Sequence, residues 1–95
     1  IVGGNAANSA LTINNSAAVV FAGQLGGAGT NENNLTLTKL GAAALTLSNA
    51  ANSFTGDVSI TGGALIVTSS TALGTGPKTV TIQGSVNAPT LRLDG

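Results

Sequence analysis

The feature that most constrains this chain is an internal repeat. The triplets LTI (residues 11 to 13), LTL (35 to 37), VSI (58 to 60) and VTI (80 to 82) recur every 22 to 24 residues. A second series, VVF (19 to 21), LTL (45 to 47), LIV (65 to 67) and LRL (91 to 93), follows the first by 7 to 11 residues each time. Apolar residues alternate with polar ones in most of these segments, and Gly, Asn and Ser bound them, which is the signature of short strands joined by turns. Two short strands per period, repeated four times, predict an all-β chain, a β-solenoid of about four coils. The coils run approximately over 11 to 34, 35 to 57, 58 to 79 and 80 to 95, in a single module spanning 1 to 95, with 1 to 10 as the tail of a preceding coil.

Competing readings fail on the same pattern. Gly and β-branched residues interrupt every window that Ala would otherwise make helical, and no apolar stripe recurs at i, i+3, i+4, i+7. Disorder is disfavoured because Leu, Ile and Val are frequent enough, and regularly enough placed, to offset chain entropy. In the solenoid, Leu11 and Ile13, Leu35 and Leu37, Val58 and Ile60, and Val80 and Ile82 point inward, and Thr12, Thr36, Ser59 and Thr81 point out. Val19 and Phe21, Leu45 and Leu47, Leu65 and Val67, and Leu91 and Leu93 supply the second wall of the interior, and Leu25, Phe54 and Leu73 are candidates for a third. Corners fall at 22 to 34, 49 to 57, 68 to 79 and 83 to 89, where Gly and Asn tolerate the backbone angles of turns, and Pro77 and Pro89 stand just before strands.

Residues 37 to 48 read LTKLGAAALTLS, 54 to 65 read FTGDVSITGGAL, and 72 to 82 read ALGTGPKTVTI. In this order the three blocks resemble the autotransporter-associated β-strand repeat of bacterial passenger regions, whose pattern runs approximately LTKxGxGxLTLSGxNxYTGxTxIxxGTL with an ALGxGxVTV tail. The resemblance covers residues 35 to 83, and 11 to 21 and 90 to 93 fit as degenerate copies. Ala43 stands where Gly is usual, Asp57 where a second Gly is common and Phe54 in place of Tyr, and one extra residue lies between Ser48 and Phe54. The resemblance implies a right-handed parallel β-helix, an extracellular or cell-surface location and a scaffold role, and it carries over no active-site residues.

Composition removes most catalytic instruments. The 95 residues contain no Cys, His, Met, Trp or Tyr, and the six charges cancel, Lys39, Lys78 and Arg92 against Glu32, Asp57 and Asp94. No field steers nucleic acid or an anionic membrane, and no apolar run reaches the ~18 residues of a spanning helix. Abundant Gly, Ala, Asn, Ser and Thr resemble exported bacterial surface proteins, and a first residue other than Met suggests a processed product or an excerpt.

Motifs that suggest chemistry have plainer explanations. Gly74 to Thr79 (GTGPKT) loosely follows a phosphate loop, yet Pro77 occupies the position of the Gly before the Lys and no helix follows. Gly23, Gly26, Gly27 and Gly29 read as a flexible corner rather than a dinucleotide fingerprint, which needs a strand, a tight turn and a helix in succession. Glu32, Asp57 and Asp94 are separated by coil and corner, so they read as solvated charges rather than as a catalytic or calcium cluster. Asn14-Asn15-Ser16 and Asn34-Leu35-Thr36 match the glycosylation sequon, as chance allows in an Asn-rich and Thr-rich chain. The expectation is therefore a non-catalytic structural module with no catalytic, cofactor-binding or metal-binding residues and no cofactor. Its partner is another copy stacked head to tail, or adjoining coils, because Ile1 to Gly4 read like the tail of a second strand and Leu91 to Gly95 like the next one. The alternative is an adhesin-type module that recognises a glycan or host protein through a sheet face or its corners.

Overall fold

The computed structural model describes residues 1 to 69, 71 to 84 and 89 to 94. Eight strands account for its regular structure: β1 (Ser9–Asn14), β2 (Val19–Phe21), β3 (Leu35–Leu40), β4 (Ala44–Leu47), β5 (Val58–Ile60), β6 (Ala64–Val67), β7 (Val80–Ile82) and β8 (Thr90–Leu93). Odd strands form one four-stranded sheet in the order β1-β3-β5-β7 and even strands form the other, β2-β4-β6-β8. Every pairing is parallel. Each pass of the chain therefore adds one strand to both sheets, which is the winding of a β-helix. Among the described residues there is no helix.

Alternation becomes burial. In β3 the residues Leu35, Leu37 and Lys39 are buried and Thr36, Thr38 and Leu40 half-buried, as a period of two requires when one face meets the core. The core comprises Leu25, Leu35, Leu37, Leu45, Leu47, Phe54, Val58, Ile60, Leu65, Val67 and Ala72. Leu25 and Phe54 thus form the third wall, and it has its own ladder: the N–H groups of Ser53 and Phe54 donate to Leu25 O, and Thr75 N–H donates to Phe54 O. On the last of these turns Ala72 is fully buried and Leu73 only half so.

Three expectations need correction. First, LTI at 11 to 13 pairs with residues 37 to 39 rather than 35 to 37, so Leu35 faces Ser9 and Thr36 faces Ala10. A slip of two residues leaves every side chain on its expected face, so alternation cannot detect it. The coils on this sheet are consequently uneven, 26, 21 and 22 residues from Leu11 to Leu37, to Val58 and to Val80. Second, Ile1 and Val2 do not sit beside a second strand. Gly26 N–H donates to Ile1 O and Gly3 N–H to Glu32 O, so this segment lies along the third wall. Third, Val19, Ile82 and Leu93 remain 46%, 47% and 70% exposed, because they belong to outermost strands with a neighbour on one side only. The corner across 83 to 89 and the exit turn at Gly95 lie largely outside the described residues, which omit 85 to 88 and 95, as does Ser70 in the corner across 68 to 79.

Candidate functional site

A polar corner is built around Lys39. The corrected register places this residue in an inward row, between Ile13 on β1 and Ile60 on β5. Its side chain is 0% exposed. A lysine can lie in an apolar row if its stem packs there and its amine leaves toward polar groups. Here Nζ donates to Leu40 O, to Gly41 O at 3.2 Å and to Gly62 O at 3.4 Å, so three backbone carbonyls from two coils meet its three N–H groups. Gly63 makes the space: its φ is +65°, and a Cβ there would stand 2.5 Å from Ala43 O and 2.9 Å from Nζ. Burial lowers the Lys39 pKa from its ordinary value, because the charged form loses water. The arrangement ties two stacked corners together.

A second polar tie crosses the third wall. Asn52, 2% exposed, accepts from Leu25 N–H through Oδ1 at 2.8 Å and donates from Nδ2 to Ala72 O at 2.7 Å, so one side chain joins three turns of the chain. Asn33 Oδ1 likewise accepts from Gly27 N–H at 2.9 Å and Ser53 Oγ–H at 2.7 Å. Lys39 and Asn52 were missed as internal residues, although parity marked the first: in LTLTKL, Lys39 shares a face with Leu35 and Leu37.

The candidate chemical motifs are absorbed by the backbone. Lys78 of the GTGPKT segment lies 3.8 Å from the Phe54 ring centroid and donates to Phe54 O at 2.8 Å and to Leu73 O. Desolvation lowers its pKa, and Asp57 opposes that shift. The amine is committed to the corner rather than held over a phosphate cradle. The carboxylates are not merely solvated charges: Glu32 accepts from Gly29 N–H at 3.0 Å, Asp57 from Thr79 N–H at 2.9 Å, and Asp94 makes a two-pronged pair with Arg92 at 2.9 and 2.7 Å. Their own pair raises the pKa of Arg92 and lowers that of Asp94. Among the described residues, no three His, Cys, Asp or Glu side chains come together as metal ligands would. Of the two sequon asparagines, Asn34 spends its Nδ2 on Asn5 O at 2.8 Å, on Ala6 O and on Asn31 Oδ1.

The outer faces differ in character. On the odd sheet Thr12, Thr38, Ser59 and Thr81 fall in one row, a line of hydroxyls across four strands. On the even sheet the matching row is Val20, Thr46, Ile66 and Arg92.

Residues 37 to 67, which run from the centre of β3 to the end of β6, match the model of the passenger-associated-transport-repeat family. The match supports an autotransporter passenger repeat in this segment. It contains both polar ties, Lys39 and Asn52, and all but Leu25, Leu35 and Ala72 of the buried core. A passenger repeat implies a secreted or surface-exposed protein. No curated protein and no solved structure matches the chain.

Proposed function

We propose that the chain is a right-handed parallel β-helix of four coils and serves as a non-catalytic structural stretch of a bacterial extracellular or cell-surface protein. One observation carries this reading. The register of the passenger repeat extends without a break onto strands outside it, to β1 and β2 on one side and to β7 and β8 on the other. The same winding is thus continued by sequence on both sides of the matched repeat, as expected where length and stiffness rather than particular side chains are the product. The charged side chains support it. Lys39 and Lys78 hold corners from within, and the carboxylates cap backbone N–H groups or pair with Arg92.

The test is a glycan array together with binding of the folded chain to host extracellular matrix proteins, alongside proteolysis of the native chain. The expected result is slow cleavage with no saturable ligand. Saturable binding lost on changing the hydroxyl row, for example by Thr38→Ala with Thr81→Ala, would transfer the function to the adhesin class. A crystal structure of the chain checks the hand of the coil.

A further inference from the structure

The outer face of the odd sheet is more ordered than a solvated surface requires. Three successive passes of the chain present a hydroxyl, an inward aliphatic and a hydroxyl: Thr36-Leu37-Thr38, Ser59-Ile60-Thr61 and Thr79-Val80-Thr81. Parallel pairing sets Thr12, Thr38, Ser59 and Thr81 side by side. Strands about 4.8 Å apart that rise about 3.3 Å per residue put same-face residues on a net of roughly 4.8 by 6.6 Å. Among the described residues, the hydroxyls of Thr12, Thr36, Thr38, Ser59, Thr79 and Thr81 make no hydrogen bond within the chain, while that of Thr61 is spent on Lys39 O at 3.3 Å. The row itself is uncharged, and the carboxylate of Asp57 beside it is held by Thr79 N–H at 2.9 Å. Both aromatic side chains belong to the interior, Phe54 buried and Phe21 packed on the core, so this face has no ring for a sugar to stack on. The even sheet winds with the same coils and keeps no such uniformity, since its outer row reads Val20, Thr46, Ile66 and Arg92. The hydroxyl face runs along the side of the stack, and Thr38 and Ser59 have a strand on either side, so its presentation does not depend on how the stack ends.

We propose that this hydroxyl face binds ice. Hexagonal ice repeats its oxygen positions on a similar net, a little closer than the strand spacing along one axis and a little wider than two residues along the other. Unspent hydroxyls held at those intervals take lattice positions of surface water, and the threonine methyls beside them order the water they cannot bond. The array is set before contact: threonine is stiff at χ1, and the backbone of the inner strands is held by ladders on both sides. Little ordering therefore remains to oppose adsorption, and many weak contacts add. Charge complementarity selects the same occupant, because a neutral row meets a neutral lattice, whereas an ionic ligand finds no opposite charge along it. The activity goes beyond the structural reading above, which asks only that outward residues be polar and sets no spacing between their hydroxyls.

The experiment uses the 95-residue chain, Thr38→Lys on the hydroxyl row, and Thr46→Lys on the outer row of the even sheet as the control for added charge, each checked for a β-sheet circular dichroism spectrum. Partition into slowly grown ice and inhibition of ice recrystallisation are the readouts. The wild type and Thr46→Lys are expected to concentrate in the ice and to keep its grains small at micromolar concentration. Thr38→Lys should be rejected from the growing ice as an ordinary solute is, with loss of the recrystallisation effect. Should Thr38→Lys unfold the chain, Ser59→Lys on the neighbouring inner strand takes its place. A folded wild type that the ice rejects overturns the proposal, as does equal loss in the Thr38 and Thr46 variants. Retention on crystalline cellulose or chitin together with rejection from ice also overturns it, and assigns the row to a polysaccharide. Glycan arrays and proteolysis decide the structural reading and ice partition decides this one, so either can fail alone.

Discussion

Lys39 shows how one residue can be expensive and still belong. Its charge is removed from water by burial, and three carbonyls of two adjacent corners supply the replacement contacts. The folded pKa lies below that of the unfolded chain, so between the two values the unfolded state holds more protons and stability rises with pH. The penalty of the charged form is present below the folded pKa and is relieved as pH climbs toward the unfolded value of ~10.4. Lys39→Met is expected to cost about 1–3 kcal/mol near neutrality by leaving buried carbonyls without donors, and to flatten the alkaline rise. Urea titrations of both chains between pH 7 and 10.5 check this, and an equal slope in the variant would remove Lys39 as its source. Asn52 is the neutral counterpart. Asn52→Ala strands Leu25 N–H and Ala72 O together and should cost about 2–4 kcal/mol, whereas a loss under 0.5 kcal/mol would show that water replaces it.

At the scale of the strand, position in the stack matters more than residue type. Leu47 and Leu93 occupy one row and differ only in how many coils flank them. Leu47→Asn should therefore destabilise the chain by roughly 2 kcal/mol or more, since an amide enters a dry interior, while Leu93→Asn should change stability by less than about 0.5 kcal/mol in dilute solution. Thermal denaturation at low micromolar concentration measures both, and similar losses would mean that the end coils are as enclosed as the inner ones. The same row logic explains why Val19 and Ile82, expected inward from alternation, point inward and yet remain exposed. Direction is a local property. Burial requires the neighbour.

For the molecule as a whole, the carboxylates of Glu32 and Asp57 are bonded to backbone N–H groups and that of Asp94 to Arg92. Exchanging Glu32, Asp57 and Asp94 for their amides keeps an acceptor oxygen at each hydrogen bond and loses chiefly the charge of the solvent-screened pair to Arg92. The triple variant should fold with its melting temperature within a few degrees of the parent, and EDTA should leave both unchanged. A chelator-dependent melting temperature, restored by calcium, would reveal a metal contribution. Stability in this fold is instead distributed over repeated nearest-neighbour contacts between coils, as in other solenoids.

All eight strands, their inward and outward faces and the wall residues Leu25 and Phe54 were legible in the sequence, because alternation and turn residues encode them within a few positions of chain. The resemblance over 35 to 83 was equally local, and the matched repeat at 37 to 67 falls within it. The register of β3 was not legible against either neighbour: 37 to 39, not 35 to 37, pairs with both 11 to 13 and 58 to 60, and a shift by two residues preserves every face. The pairing of Lys39 with Ile13 and Ile60 follows from that register, and the two-sided bonding of Asn52 from the stacking of the third wall. So does the contrast between Leu47 and Leu93, since what a side chain faces is set by chain one coil away, 20 or more residues distant, where no local pattern reaches.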